Sequence, residues 1–221
     1  METAGEGGPL AKETVGAIAA TMFGKGLLHE AIITMLSFDA FLREQDWTQL
    51  RKEDIAIDKS GAMALLFGVR ERGEQVKTGT NQGVVLKDQT VKNMMRAIIE
   101  KLASDEKVFP LSAESFRKSW WKVLREMDLE FCGPPHNLRH AGAAVFVEQG
   151  GELEECRRRG RWLQLSSVQR YTKTHWLVRH RAKVNDKVAS LGARFWASPR
   201  KVLKQIMPST PLGRKLLAAI S

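Results

Sequence analysis

The segment Pro135-His136-Asn137-Leu138-Arg139-His140 carries side chains that can act on a phosphate group. Proline favours the first turn of a helix, and residues three apart lie on one helix face, so His136 and Arg139 are predicted side by side at a helix start. A helix N-terminus favours a bound anion, and an imidazole beside a guanidinium fork suits phosphate oxygens. Taken alone, this spacing is more typical of a helix start whose polar side chains face solvent.

Three other motifs with residues suited to phosphate chemistry occur before and after this segment in the sequence. Upstream, Arg43-Glu44-Gln45-Asp46 is followed by Leu50 and by Asp54-Ile55. Val76-Lys77-Thr78-Gly79 follows at a predicted hairpin turn. Downstream, Gly160-Arg161-Trp162 precedes Tyr171, the only tyrosine, by nine residues.

In this order the set resembles the catalytic domain of the tyrosine recombinase (phage integrase) family, over roughly residues 25–175. The resemblance implies site-specific DNA cleavage and rejoining, as in DNA recombination and integration by mobile elements. It implies a 3′-phosphotyrosyl intermediate, which conserves the bond energy, so no cofactor is expected. Clustered carboxylates for a two-metal centre are also missing from the sequence.

The resemblance also implies a role for each matching residue. Arg43 and Arg139 would clamp the phosphate, Lys77 would protonate the leaving oxygen, and His136 would assist proton transfer. Trp162 would donate its indole N–H, and Tyr171 would attack the phosphorus. Asp46 and His140 would support these residues. Arg51 and Lys87 are the weaker alternatives to Arg43 and Lys77.

The sequence departs from the family pattern in three places. Arg161 stands where a glycine often precedes the His/Trp position, and Phe41-Leu42 stand where small residues usually precede the first arginine. Only 42 residues precede Arg43, so the N-terminal helical domain that completes the DNA clamp is expected to come from a separate chain or domain. Two alternatives therefore stay open: a catalytically inactive DNA-binding relic, and DNA relaxation like that of a type IB topoisomerase.

The positive charge of the chain is concentrated in its last third. The 221 residues carry a net charge of +10, with +12 in residues 151–221 and −2 before them. Aromatic residues interleave with these charges, which favours a folded basic surface over a disordered tail. Such a surface suits double-stranded DNA, with an anionic membrane as the weaker alternative. The predicted DNA-binding residues are Arg157, Arg158, Arg159, Arg161, Arg170 and Lys173.

Two cysteines without a CxxC motif exclude a disulfide scaffold and favour an intracellular setting, together with DNA. The spacing of Cys132, His136 and His140 could suggest zinc, but the prolines before His136 separate Cys132 from that helix, and a fourth ligand is missing, so no metal is expected. No apolar run approaches the ~18 residues of a membrane span.

Hydrophobic periodicity predicts a mainly helical protein with one small antiparallel sheet, an α+β fold. Short β-prone runs, AMALLFGV, EQVKT and GVVL, are separated by glycine-containing turns within residues 62–87. The expected organisation is a disordered N-terminus (1–10), a catalytic domain (11–186) and a basic C-terminal extension (187–221). We expect a homo-oligomer on DNA, in which this extension docks on a neighbouring protomer; packing on its own chain is the alternative.

Overall fold

A computed structural model describes residues 8–69, 72–73, 82–172 and 174–220, with Tyr171 described by its backbone alone. The described part is mostly helical with a small three-stranded antiparallel sheet, which confirms the predicted fold class. The helices are α1 (Lys12–Gly24), α2 (Leu28–Asp39), α3 (Glu44–Gln49), α4 (Gln89–Ile99), α5 (Ala113–Glu126), α6 (Asn137–Glu148), α7 (Leu153–Gly160), α8 (Leu165–Tyr171), α9 (His175–Lys183), α10 (Asp186–Ala197), α11 (Pro199–Ile206) and α12 (Pro211–Ala219).

The sheet has the strand order β1 (Ile55–Ile57), β2 (Met63–Phe67) and β3 (Gln82–Val85). Two of the predicted runs correspond to β2 and β3. The third run, at 74–78, lies outside the described residues. β1 was not predicted because three residues are too few to show an alternating pattern.

The hydrophobic core is built around α1 and α2. Apolar residues occur on every side of α1, and Val15, Ile18 and Met22 are all fully buried, as expected for a helix enclosed by its neighbours. α2 packs against α1, α4 and α6. The buried residues Ala40 and Leu42 continue this core after α2, so the segment that carries Arg43 begins from a fixed support.

The C-terminal helices complete this core within the same chain. Phe195, Leu203 and Leu216 are fully buried, one from each of α10, α11 and α12. α10 lies along α1, where Trp196 Nε1 donates to the Lys12 carbonyl at 2.7 Å, and α12 packs on α4. These described helices pack in cis, and the exchange between protomers stays a prediction.

Leu10 is also fully buried, so the predicted disordered N-terminus does not extend as far as this residue. Its side chain has a place in the main core cluster. Within the described ranges, none of the helices combines the length and apolar character that a membrane crossing requires.

Candidate active site

Arg43 lies in the sharp turn between α2 and α3. Phe41, two residues earlier, has a left-handed backbone with φ of +51°. The Arg43 N–H donates to Oδ2 of Asp46 at 2.7 Å, which caps α3. Because Asp46 is only 3% exposed, this bond fixes the backbone of Arg43 in a buried setting.

Arg139 lies in the first turn of α6, and its side chain points into the protein. The residue is 2% exposed, and its two Nη nitrogens donate to the carbonyls of Phe41 and Gly160. One guanidinium thus joins three segments that are far apart in the chain: the turn before α3, the start of α6 and the end of α7. Its orientation is set by the backbone before any ligand arrives.

Trp162 follows the left-handed turn that ends α7. The Trp162 N–H donates to the Arg157 carbonyl at 3.1 Å, as in a Schellman motif. Its ring stacks on Arg139, with the guanidinium carbon 4.2 Å from the ring centroid. Gly160 makes this possible, since a Cβ there would lie 1.7 Å from Cζ3 of Trp162.

His136 and His140 pack edge to face at the same end of α6, with ring centroids 4.6 Å apart. Partial burial, then the charges of Arg139 and Arg43, lower the pKa of His136. Burial, then His136 and Arg139, lower the pKa of His140 to about 3. Both imidazoles are therefore neutral near pH 7, and His136 is subject to the field of both arginines.

Tyr171 is the last residue of α8, a helix that packs on α6 and α7. Val168, one turn earlier, is fully buried in a small cluster with Phe41 and Trp162. The backbone of Tyr171 is thereby joined to the elements that carry the arginines. Lys77 and Lys173 lie outside the described residues.

Comparisons with known proteins identify the family and support the fold. A model described as "Phage integrase family" matches residues 10–176. The chain belongs to the phage integrase family. Among solved structures, the XerA recombinase is similar, with a TM-score of 0.56 and 14% identity over 95% of this chain and 68% of that chain. At this identity, the likeness supports the fold. The search of curated proteins returned no match.

The basic residues of this integrase-family domain divide into an outer and an inner set. Arg158 and Arg170 are exposed, and Arg157 pairs with Glu154 at 2.7 Å at the surface. Arg159 is an inner residue: its side chain is 7% exposed and pairs with Asp39 at 3.2 Å.

Arg161 belongs to the inner set too, with a side chain 4% exposed that pairs with Asp46 at 2.6 Å. The expectation that Arg159 and Arg161 face DNA is therefore corrected. Their guanidiniums are held inside the domain by ion pairs with Asp39 and Asp46, so their charge is already balanced there.

The two left-handed residues of the site stand at two of the departures from the integrase pattern. Phe41 and Arg161 have φ of +51° and +56°, and Nη2 of Arg161 donates to the Phe41 carbonyl at 3.3 Å. The sequence predicted DNA binding for Arg161 and indicated no role for Phe41, and it did not predict that the two residues contact each other. The signal was present, since a residue in place of a turn glycine must be held by contacts that offset the strain.

Proposed function

We propose that this protein cleaves and rejoins DNA strands through a 3′-phosphotyrosyl intermediate, with Tyr171 as the nucleophile. The observation that carries the proposal is the convergence of Arg43, Arg139, His136 and Trp162 from separate segments. Membership of the integrase family supports DNA recombination as the reaction class.

In the cleavage step, the phenolic oxygen of Tyr171 forms a bond to a backbone phosphorus, and the bond from phosphorus to the 5′-oxygen breaks. The phenol passes its proton to the neutral imidazole of His136, and the leaving 5′-oxygen takes one from Lys77, a general-acid task suited to an ammonium on a turn. In the reverse step, a 5′-hydroxyl attacks the phosphorus and returns its proton to Lys77, while the bond from phosphorus to the tyrosyl oxygen breaks and that oxygen takes its proton back from His136.

The arginines stabilise the charge that grows on the non-bridging oxygens. Arg139 is oriented by two backbone carbonyls, and such preorganisation lowers the reorganisation needed during the reaction. His136 remains neutral near pH 7, because burial and the neighbouring guanidiniums lower its pKa, so it can both accept and donate a proton.

We further infer that several copies assemble on double-stranded DNA. The exposed charges of Arg158 and Arg170 support a DNA-facing surface beside the site. The protein would work in whatever compartment holds that DNA, and it would need no cofactor.

A suicide substrate tests the proposal directly. A nicked duplex, in which the cleaved fragment diffuses away, should yield a protein–DNA adduct that resists boiling in detergent and disappears in Tyr171→Phe. Tyr171 is the sole tyrosine, so this variant removes every phenol from the chain. Failure of the wild-type protein to form an adduct, while it still binds the duplex, would favour the inactive relic. Relaxation of plasmids without sequence preference would favour the topoisomerase-like alternative.

A further inference from the structure

Arg161 holds an unusual place between α7 and the Arg43 turn. Its backbone is left-handed (φ 56°, ψ 38°), and its side chain runs inward over the ring of Phe67, with Cζ 4.5 Å from the ring centroid. Nη2 donates to Oδ2 of Asp46 at 2.6 Å and to the Phe41 carbonyl at 3.3 Å. The buried Nε and Nη1 atoms have no hydrogen-bond partner among the described residues.

These contacts close a ring with Arg43. The oxygen of Asp46 that accepts from Arg161 also accepts the backbone N–H of Arg43. In return, Nη2 of Arg43 donates to the backbone carbonyl of Arg161 at 3.4 Å. The side chain of each arginine is thus linked to the backbone of the other, once directly and once through Asp46.

This arrangement is not explained as a source of stability. A glycine would adopt the left-handed turn without strain, whereas an arginine must offset both that strain and the burial of its charge. A buried ion pair is weak evidence for stability, since an apolar pair can replace it without loss, but it fixes relative position well. Here it fixes Asp46, and hence the start of α3, against the turn that carries Trp162.

We propose that Arg161 is a positioning residue for Arg43: through Asp46 and the Phe41 carbonyl, it sets where the Arg43 guanidinium stands relative to Arg139 and Trp162. The proposal rests on the proposed function, because it assigns Arg43 the task of holding the reacting phosphate. Arg161 itself stays inside the domain and does not touch DNA.

Three variants at this position separate charge, length and strain. Arg161→Met keeps the length and removes the charge, Arg161→Gly also removes the strain, and Arg161→Lys restores a donor to Asp46. Arg125→Met, at an exposed arginine of α5, is the matched control. At saturating suicide substrate, we expect the Met and Gly variants to form adduct at least tenfold more slowly, with DNA dissociation constants within twofold of wild type.

The Lys variant should recover most of the lost rate, and the control should match wild type. In an Asp46→Ala background, Arg161→Met should slow the reaction less than threefold further, because the Asp46 oxygen that links Arg161 to the Arg43 backbone is already absent. A merely structural role would lower the urea midpoint without this rescue or this coupling.

A second measurement does not depend on activity. In ¹⁵N spectra of arginine side chains, the Nε–H signal of Arg43, assigned with Arg43→Lys, should be sharp in the wild type and in Arg161→Lys, and broadened in Arg161→Met. An unchanged Arg43 signal in Arg161→Met would overturn the proposal. So would wild-type rates in both Arg161→Met and Arg161→Gly. A wild-type protein without adduct contradicts the proposed function instead, and the Arg43 signal then decides the positioning role by itself.

Discussion

The guanidinium of Arg139 stacks on the ring of Trp162, 4.2 Å from its centroid, and donates in its own plane to the carbonyls of Phe41 and Gly160. Both residues are almost completely enclosed, with 2% and 9% of their surfaces exposed. The group proposed to bind phosphate is therefore also the group that joins the turn before α3 to the end of α7. Changes at this position should affect stability and chemistry together.

Arg139→Lys should show this double effect. A lysine keeps the charge, but all its N–H donors are on one nitrogen, so it cannot reach both carbonyls. One buried acceptor therefore loses its partner. We expect the free energy of unfolding to fall by about 1–3 kcal/mol and adduct formation to fall by roughly two orders of magnitude or more. Urea titration and a gel assay of the adduct measure the two effects. A lysine variant as stable as wild type would contradict the bridging role.

The fold class was predictable from sequence because long amphipathic segments such as α4 and α5 show a clear helical period. The order of the motifs predicted the family, which the match to the phage integrase family confirms, whereas the catalytic roles of the individual residues stay predictions. Lys77 stays a prediction, since it lies outside the described residues.

The sequence alone did not predict which arginine side chains of α7 face solvent and which face the interior. Arg158 and Arg159 are adjacent in the sequence, but successive residues on a helix point about 100° apart. Arg159 therefore faces the interior near the buried Cys156, and Arg158 faces solvent. A run of like charges suggested one surface, whereas the helix divides it into an inner and an outer set.

Gly160→Ala should displace Trp162. The added Cβ would lie 1.7 Å from Cζ3 of the ring, so the indole must leave its place over Arg139. We expect a loss of roughly 1–3 kcal/mol in unfolding free energy, with slower adduct formation. Gly24→Ala is the control, because the nearest atom to its Cβ is 3.7 Å away. Equal stability of the two variants would show that Trp162 can repack without loss.

Stability should decrease as the pH is lowered from 7 to 5. Burial lowers the pKa of His140 to about 3 and that of His180 to about 4, whereas an unfolded histidine titrates near ~6.5. In this window the unfolded chain binds the proton and the folded chain does not, so each such histidine removes up to ~1.4 kcal/mol per pH unit. Urea midpoints at several pH values measure the slope. His140→Asn should make it shallower, and an unchanged slope would contradict the assignment to this residue.

Gly192→Ala should weaken the packing of α10 against α1. A Cβ at this position would lie 1.7 Å from the Glu13 carbonyl oxygen, so the two helices must separate. We expect a loss of about 1–3 kcal/mol in unfolding free energy, whereas the exposed Ser190→Ala should stay within ~0.5 kcal/mol of wild type.

The same titration, repeated at several protein concentrations, bears on the exchange predicted for the C-terminal extension. If α10 packs within its own chain, the unfolding midpoint does not depend on protein concentration. A midpoint that rises with concentration would indicate that the extension docks on a neighbouring protomer.

Arg158→Ala and Arg159→Ala should differ in kind, although the residues are neighbours. Loss of the exposed Arg158 removes one phosphate contact, so DNA binding should weaken, and the slope of log affinity against log salt should fall by about 1. Loss of Arg159 leaves Asp39 without its ion-pair partner, and the Val85 carbonyl loses its 2.7 Å donor. Breaking a buried pair costs about 3–5 kcal/mol, so Arg159→Ala should lower stability and leave the salt slope unchanged.

Salt-dependent binding and urea titration of both variants separate the two effects. Equal salt slopes for the two variants would mean that the division into outer and inner arginines does not govern DNA binding.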